Sequence, residues 1–287
     1  MSHPFQQVDV FADEPFKGNP VAVVFDAQRL SDERMQAIAR WTNLSETTFV
    51  LPPQHPEADY RLRIFTPAGE LPFAGHPTLG SCHAWLHAGG EPEDESVIVQ
   101  ECRIGLVRIR RTPAAPGGAL RERLAFAAPP LQQRAVEPAV LAQVLRALGL
   151  AAEEVLSHQL LDNGPQWLAL RLASARRVLA IEPDHVALGH LPKVGVIGPH
   201  DAGAGADYEV RAFAASIGIP EDPVTGSLNA SLAQWLLASQ VVRGGYIATQ
   251  GARLGRAGRV SLSVDAAGQV WVEGGCATCV QGVLMSP

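Results

Sequence analysis

Two short polar turns, each followed by an apolar segment with helical spacing, hold the residues of this sequence that are best suited to chemistry. The first turn contains the tripeptide GHP (75–77), and the second contains the hexapeptide DPVTGS (222–227). A helix N-terminus presents N–H groups without helical partners and the positive end of the helix dipole, so each turn could bind a carboxylate or a phosphate. Simple N-capping by Thr78, Thr225 or Ser227 is the alternative interpretation.

Each turn also carries a titratable side chain and a glycine. The titratable residues are His76 and Asp222, and Gly75 and Gly226 would let a ligand approach the backbone closely. If the two turns face each other across a cleft between domains, they predict a small acid-binding pocket.

The segments that follow these turns predict unusual helices. They read PTLGSCHAWLHAGG and GSLNASLAQWLLAS, with Leu, Trp, Ala and Ser on nearly every face and no Lys, Arg, Asp or Glu. A helix without a charged face is usually buried on all sides. A strongly curved sheet wrapped around each helix would bury it in this way.

The sequence contains itself twice, which indicates a duplicated domain. Four patterns recur in the same order, most of them at an offset close to 150: GNPVAVV and NGPQWLAL, Arg63-x-Phe65 and Arg211-x-Phe213 (148), Trp85-Leu86 and Trp235-Leu236 (150), and Q-x-x-R-[I/L]-G starting at Gln100 and Gln250 (150). One match could arise by chance, but four matches in order favour duplication.

Short apolar runs in both halves predict strands. They are VAVVF, TTFVL, RLRIF, VIVQ and LVRIRR in the first half, and QWLALRL, KVGVIG, YEVRAF, RVSLSV and QVWVEG in the second. Two further helices are expected at SDERMQAIARWT and EPAVLAQVLRALG, because the first has acids in its first turn and the second has Pro near its start and Gly beyond its end. The predicted fold class is α+β, with two pseudo-symmetric domains, each a curved β-sheet or barrel wrapped around a central helix.

The segment between the repeats resembles a linker. RRTPAAPGGALRER (110–123) combines two prolines, two glycines and dispersed charge, which is typical of a connection. We therefore expect an N-terminal barrel domain over residues 1–116 and a C-terminal barrel domain over residues 117–287, an arrangement that allows the last strand to cross to the first domain.

The charge and the apolar content of the sequence limit the kinds of molecule that the protein is expected to bind. The 287 residues carry a net charge of −6 with the two signs interspersed, which argues against nucleic acid or an anionic membrane as the main partner. No apolar run reaches the roughly 18 residues needed to span a bilayer, and the start MSHPFQQVDV lacks the pattern of a signal peptide. We expect a cytoplasmic protein that binds a small molecule.

Neither metal nor redox chemistry is expected from the histidines and cysteines. His83 and His87 have the i, i+4 spacing of paired metal ligands, but no Glu lies between them as in HExxH and their helix is predicted to be buried. Cys276 and Cys279 form one CxxC without the second ligand pair that a structural zinc site needs. Buried strand cysteines are the preferred interpretation of that pair.

Five motifs in order resemble the PhzF (phenazine biosynthesis) family, which belongs to the diaminopimelate epimerase-like superfamily. They are VDVFADEPFKGNPVAVV, NLSETTFV, RIFTPAGELPFAGHPTLGSCHAWL, EDPVTGSLNASL and QGARLGR, and they span nearly the whole chain. The resemblance implies two pseudo-symmetric barrel domains with the active site between them, a small carboxylate substrate, a homodimer, and no metal or organic cofactor.

The resemblance also implies roles for individual residues. The family's catalytic glutamate, from its S-E-T motif, falls on Glu46, and its pocket histidine and aspartate fall on His76 and Asp222. Ser45, Gly75, Thr225, Gly226 and Ser227 are expected to bind the substrate. From spacing alone, Glu46 would be a solvated residue at the start of a strand.

The expected function is that of an isomerase that shifts a proton between carbons of a small unsaturated amino or hydroxy carboxylic acid, with Glu46 as acid and base. Related racemases place a cysteine at each helix turn, whereas this chain has Ala74 and Pro223 there, so thiol-based racemisation is not expected. One alternative is a hydrolase with Ser227 as nucleophile, although a G-x-S-x-G elbow is missing. The other is a non-catalytic binding or scaffold protein that kept the fold.

Overall fold

The computed structural model describes residues 2–113 and 122–285. The chain divides into two compact units, of which unit 1 comprises Met1–Ala127 and Glu273–Pro287 and unit 2 comprises Ala128–Val272. In the described ranges, no helix has both the length and the apolar character needed to cross a lipid bilayer.

Unit 1 is built on a closed ring of β-strands, eight of them within the described residues. The strands of this unit are β1 (Ser2–Val10), β2 (Asn19–Val24), β3 (Glu46–Leu51), β4 (Tyr60–Phe65), the short β5 (Glu70–Leu71), β6 (Val97–Cys102), β7 (Gly105–Pro113), β8 (Glu122–Ala127) and most of β17 (Val270–Met285). Pairing runs β1, β2, β3, β4, β6, β7, β8, β17 and back to β1. The pairs β2–β3 and β4–β6 are parallel, and β5 extends the edge of β4.

Helix α2 (Gly75–His87) is the central helix of this barrel. It contacts β1, β2, β3, β4, β6 and β8, and its first ten residues are buried. The Ser81 hydroxyl is hydrogen-bonded to that of Thr48 at 2.8 Å, which satisfies a polar group inside the core. Gly80 allows the close approach of helix and sheet, because a Cβ there would lie 2.4 Å from Cγ1 of Val21.

Unit 2 contains a curved sheet with the order β9, β10, β11, β12, β13, β15, β16. These strands are β9 (Gln132–Arg134), β10 (Val155–Asp162), β11 (Gln166–Leu172), β12 (Val194–Pro199), β13 (Tyr208–Ala214), β15 (Tyr246–Gln250) and β16 (Gly258–Val264), with β14 (Ile219–Asp222) paired to β13. The pairs β11–β12 and β13–β15 are parallel.

Helix α6 (Gly226–Ala238) takes the place of α2 in unit 2. It contacts β10 and β16, and most of its residues are buried. Three further helices, α3 (Pro138–Leu148), α4 (Ala175–Leu179) and α5 (His185–Leu188), add side chains to an apolar cluster with β11 and β12.

The two units share one chain path, as the sequence repeat predicts. In unit 1 the path begins with the parallel strands β2 and β3. It continues through β4 and β5, each antiparallel to the strand before it, then through the buried helix α2, and returns in β6, which is parallel to β4. In unit 2 the same path runs through β11, β12, β13, β14, α6 and β15. The expected fold, a curved sheet around a central helix in each half, is confirmed.

The observed division differs from the expected domain boundary. The boundary expected between residues 116 and 117 lies outside the described residues, and the units divide between Ala127 and Ala128. Residues on both sides of the expected boundary form the antiparallel pair β7–β8, in which Ile109 faces Phe126 and both are buried. The segment 110–123 therefore lies partly in strands of unit 1. The end of β17 belongs to unit 1, as the sequence allowed.

The two helices predicted from their end signals are confirmed. Helix α1 (Asp32–Thr42) begins at a Ser31 cap whose side chain accepts a hydrogen bond from the Arg34 N–H. Helix α3 has Pro138 as its first residue and ends at Gly149, whose φ of 61° lies in the left-handed region.

Candidate active site

Glu46 and His76 meet in unit 1, where strand β3 and helix α2 begin. Oε2 of Glu46 lies 3.3 Å from Nε2 of His76, and the two side chains are 13% and 6% exposed, respectively. Helix α1 ends at Thr42, and Asn43 adopts a left-handed conformation that turns the chain toward β3. Local structure thus places the predicted acid/base at a strand start, shielded by its surroundings, rather than on an open surface.

His76 is a neutral imidazole at ordinary pH. Burial lowers its pKa from the usual 6.5 to about 3, and a hydrogen bond with the backbone of Pro20 opposes this shift only in part. The side-chain nitrogen of Asn19, which is fully buried, lies 3.5 Å from Nδ1. A neutral histidine beside a carboxylate can exchange hydrogen bonds with a ligand without adding charge to the site.

The low pKa of His76 predicts a loss of stability in acid. Between its unfolded pKa of 6.5 and its folded pKa of about 3, the unfolded chain binds a proton here and the folded chain does not. The free energy of unfolding should therefore fall by up to about 1.4 kcal/mol per pH unit in this window as the pH decreases. His76→Asn should lack this contribution to the pH dependence. When the pH falls from about 6.5 to about 4.5, its free energy of unfolding should therefore decrease by roughly 2–3 kcal/mol less than that of the parent protein.

Urea denaturation at the two pH values measures this difference. His158→Asn is the control, since His158 is exposed on β10 and its replacement should leave the pH dependence of the parent protein nearly unchanged. Equal losses for the parent protein and His76→Asn would contradict the assignment of a neutral His76 to the folded state.

Gly75 and Ser45 adjoin this pair in sequence. Gly75 is the buried first residue of α2, and Ser45 is half-buried directly before β3. Helical hydrogen bonding in α2 begins with the Thr78 N–H, which donates to Ala74 O at 3.2 Å. The N–H groups of Gly75 and His76 fall in the first turn, where a helix offers no internal acceptor.

Asp222 and Thr225 are joined at the start of α6 in unit 2. The Thr225 hydroxyl donates to Oδ2 of Asp222 at 2.5 Å. The Gln250 side chain donates to the carbonyl of Asp222 and to the Thr225 hydroxyl at 3.0 and 2.9 Å, and its Oε1 accepts from the Thr225 N–H at 3.1 Å. Asn229 donates to the same Oε1 at 3.0 Å. Two buried amide side chains thus fix the turn.

Side-chain capping, the alternative interpretation of both turns, is wrong for these helices. Thr225 is the N-cap residue of α6, but its hydroxyl is engaged with Asp222 and makes no capping bond. The N-cap residue of α2 is Ala74, which has no side-chain acceptor. Neither helix uses a side-chain oxygen at its N-cap to occupy the first-turn N–H groups.

Ser227 and Gly226 form the first turn of α6, and two residues that sequence reasoning missed hold Ser227. The indole N–H of Trp167 donates to the Ser227 hydroxyl at 3.2 Å, and the Asn163 side chain donates to the Ser227 carbonyl at 3.0 Å. Both residues lie in the segment NGPQWLAL, which the sequence marks only as part of the repeat. Its recurrence was the available signal, but it carried no information on these contacts.

An arginine–glutamate ion pair precedes each central helix, and it is partly exposed in unit 1 and buried in unit 2. Arg63 binds Glu70 through two hydrogen bonds of 2.8 and 2.9 Å, and Arg211 binds Glu221 through two of 2.9 and 2.8 Å. Each guanidinium also lies over the phenylalanine two residues further on, 5.0 or 4.9 Å from the ring centroid. The repeated R-x-F pattern therefore ties β4 to β5 and β13 to β14, the segments that lead into the two turns.

The cysteines take no part in either turn. None of the four, all of which lie in the described ranges, forms a disulfide, and burial raises the pKa of Cys82, Cys102 and Cys276. Cys276 is buried in β17 as expected, whereas Cys279, which lies where the pairing of β17 with β1 shifts register, is only half-buried.

Comparison with known proteins identifies the family. The family model for phenazine biosynthesis-like proteins (PhzC-PhzF) matches residues 8–282. The chain belongs to this family. The resemblance inferred from the sequence motifs is thereby confirmed over nearly the whole chain.

Individual relatives match along their full length. The chain is 38% identical to antisense-enhancing sequence 1 of Schizosaccharomyces pombe and 37% identical to trans-2,3-dihydro-3-hydroxyanthranilate isomerase of Pseudomonas aeruginosa, with 98% of both chains covered in each case. Among solved structures, a PhzF family protein of Bacillus anthracis matches with a TM-score of 0.86 at 21% identity, covering all of both chains. The PhzF family members thus include an isomerase, while the expected homodimer and cytoplasmic location stay predictions.

Proposed function

We propose that this protein is an isomerase that moves a proton between two carbons of a small unsaturated amino or hydroxy carboxylic acid without a cofactor. One observation carries the proposal: the Glu46 carboxylate is 3.3 Å from the buried His76, whose pKa burial has lowered to about 3. A shielded carboxylate beside an uncharged hydrogen-bonding partner is suited to accept a proton from carbon and to return it.

The reaction needs only one proton carrier. Glu46 removes a proton from a carbon next to a double bond that is conjugated with the substrate carboxylate. The electron pair of the broken C–H bond shifts into the conjugated system and forms a dienolate. Protonated Glu46 then delivers the same proton to another carbon on the same face, so the substrate and the product have the same composition.

The polar turn of unit 2 supplies the groups that we propose to bind the rest of the substrate. Asp222 would accept a hydrogen bond from an amino or hydroxyl group, and the first-turn N–H groups of Gly226 and Ser227 would hold a carboxylate. The fixed bonds of Thr225 and Gln250 support this role, because a site that is already ordered loses little entropy on binding.

The relatives suggest a first substrate to test. The name trans-2,3-dihydro-3-hydroxyanthranilate describes a ring that carries a carboxylate, an amino group and a hydroxyl group. This combination matches the acceptor, donor and anion sites described above. We therefore propose it as the first candidate.

Solvent isotope exchange tests the single-carrier mechanism. When the candidate acid is converted in D₂O, a shielded Glu46 should return part of the original proton, so the product should carry less than one deuterium per turnover at the new C–H position. Mass spectrometry and proton NMR of the product measure this fraction, and product incubated with the enzyme corrects for later exchange. Complete deuterium incorporation from the first turnover would contradict a single shielded carrier.

The contacts of Ser227 favour binding over nucleophilic attack. A serine nucleophile needs a base within hydrogen-bond reach of its hydroxyl. In the described part of the chain, the partner of the Ser227 hydroxyl is the indole N–H of Trp167, which is a donor and cannot accept a proton. The hydrolase alternative therefore gains no support from the geometry.

A further inference from the structure

A second cluster of chemical groups lies in unit 1, two helical turns beyond His76. His83 and His87 are one turn apart on α2, and Glu122 opens strand β8. One ligand atom of each residue lies within 4.8 Å of those of the other two. Oε1 of Glu122 is 3.5 Å from Nδ1 of His83 and 3.8 Å from Nε2 of His87. The offset of seven residues from His76 to His83 corresponds to about 10 Å along the helix, so this cluster is separate from the proposed active site.

A hydrogen-bond chain sets the tautomer of His83. The Thr278 hydroxyl donates to the side-chain oxygen of Gln6 at 3.3 Å, and it lies 3.1 Å from Nε2 of His83. Because its single proton is used toward Gln6, the hydroxyl accepts from His83, which places a proton on Nε2. In the neutral imidazole, Nδ1 then presents a lone pair to the Glu122 carboxylate.

Two buried acceptors consequently face each other. His83 and Glu122 are 4% and 5% exposed. Among the described residues, neither Nδ1 of His83 nor Oε1 of Glu122 has a hydrogen-bond partner. Two lone pairs at 3.5 Å without a donor between them are costly in a buried site. A cation bound between them would remove this cost.

The carboxylate is already oriented for such a cation. Arg111 donates to Oε2 of Glu122 at 2.6 Å, which leaves Oε1 directed to the histidines. Arg111 is 36% exposed, so solvent screens part of its repulsion toward a divalent ion. The His87 side chain is 29% exposed, which gives an ion and a water ligand access from solvent.

We propose that His83, His87 and Glu122 bind a divalent transition-metal ion of the Zn²⁺ class. Two imidazoles and one carboxylate are ligands that Zn²⁺ favours, whereas Mg²⁺ and Ca²⁺ favour oxygen ligands alone. Ligand atoms about 2.0–2.2 Å from a tetrahedral ion are about 3.3–3.6 Å apart, close to the observed 3.5 and 3.8 Å. The ion would join the end of α2 to β8 and stabilise unit 1.

The sequence did not predict this site. His83 and His87 have the spacing of metal ligands, but the sequence predicts a helix buried on all sides and shows no third ligand between them. His87 lies beyond the buried part of α2, and the third ligand comes from a strand whose position beside the helix is a long-range contact.

Metal titration of the chelator-treated protein tests the proposal. Co²⁺ should bind with one equivalent per chain and give the visible absorption of a tetrahedral or five-coordinate ion, and Zn²⁺ should displace it. His87→Ala and Glu122→Gln should each weaken Zn²⁺ binding at least about tenfold, since each removes one of three protein ligands. His158→Ala, at an exposed position outside the cluster, should bind as the parent protein does.

Thermal unfolding provides a second readout that does not depend on activity. Zn²⁺ should raise the melting temperature of the parent protein and of His158→Ala, but not that of His87→Ala, whose replaced side chain is partly exposed and whose fold should persist. Equal Zn²⁺ affinity in the parent protein, His87→Ala and Glu122→Gln would overturn the proposal. The absence of saturable uptake of one equivalent of Zn²⁺ by the parent protein would also overturn it.

Discussion

Replacing Glu46 by Gln should lower turnover by about 10²–10⁴, the usual contribution of general acid–base catalysis, while the melting temperature stays nearly unchanged. The amide has almost the shape of the carboxylate and can still contact His76, but it cannot take a proton from carbon. His76 is already neutral at ordinary pH, so neutralising Glu46 leaves no uncompensated charge on this partner. The measurement is kcat on trans-2,3-dihydro-3-hydroxyanthranilate or another accepted acid, together with a thermal unfolding curve for each variant.

Two controls separate chemistry from structure. Glu57→Gln makes the same change at an exposed loop position and should leave kcat and the melting temperature as they are. Replacement of the four cysteines by serine or alanine should also spare turnover, because the three buried thiols have raised pKa values and stay protonated. An active Glu46→Gln protein, or inactivation by alkylation of a cysteine without unfolding, would mean that the proposed mechanism is wrong.

Local sequence signals predicted the elements that carry the site. The Ser31 cap and the Pro138 start located α1 and α3, and the absence of charge predicted that α2 and α6 are buried. These signals depend on helix ends and on the composition of a single helix. They are therefore readable without knowledge of the rest of the fold. The contact between Glu46 and His76 is different, since only the family resemblance brought these two residues together in advance.

Contacts between distant segments escaped sequence reasoning. Gln250 was recognised as part of a repeated pattern, but its bonds to Asp222 and Thr225 need the parallel pairing of β13 and β15. Trp167 was assigned to a strand, yet its indole N–H reaches Ser227 on the buried helix. Such partners are set by strand register and by helix placement, which are properties of the whole unit.

The boundary expected between residues 116 and 117 depended on the composition of one segment, which does not report the strand pairing of the residues on either side. Prolines, glycines and mixed charge around residues 110–123 are typical of a linker, but the flanking residues of that segment extend the β7–β8 pair. Alternation of buried Ile109 with exposed or partly exposed arginines was the missed sign of a strand with one face in the core. A strand hairpin in a barrel can carry a connection of linker-like composition and remain within one unit.

Arg211→Met should have the largest effect on stability, a loss of about 3–5 kcal/mol in the free energy of unfolding. The side chains of Arg211 and Glu221 are 3% and 6% exposed, so removal of the cation leaves a buried carboxylate without its counter-ion. The variant also loses two hydrogen bonds from the guanidinium, to the carbonyls of Val178 and Ile181 at 3.3 and 2.7 Å. Methionine fills much of the volume, so the loss reports on charge and hydrogen bonding rather than on a cavity.

The duplicated domain supplies a matched control for this prediction. Arg63 makes the same paired contact with Glu70, but those side chains are 16% and 18% exposed, so Arg63→Met should be clearly less destabilising because water can solvate the remaining glutamate. The double variant Arg211→Met/Glu221→Leu should recover part of the loss, since it removes both charges together. Urea denaturation followed by tryptophan fluorescence and circular dichroism measures all three proteins. If Arg211→Met were no more destabilising than Arg63→Met, burial of the ion pair would not be the cause of the loss in the free energy of unfolding. Because Glu221 directly precedes Asp222, substrate affinity in the double variant also shows whether this pair positions the polar turn of α6.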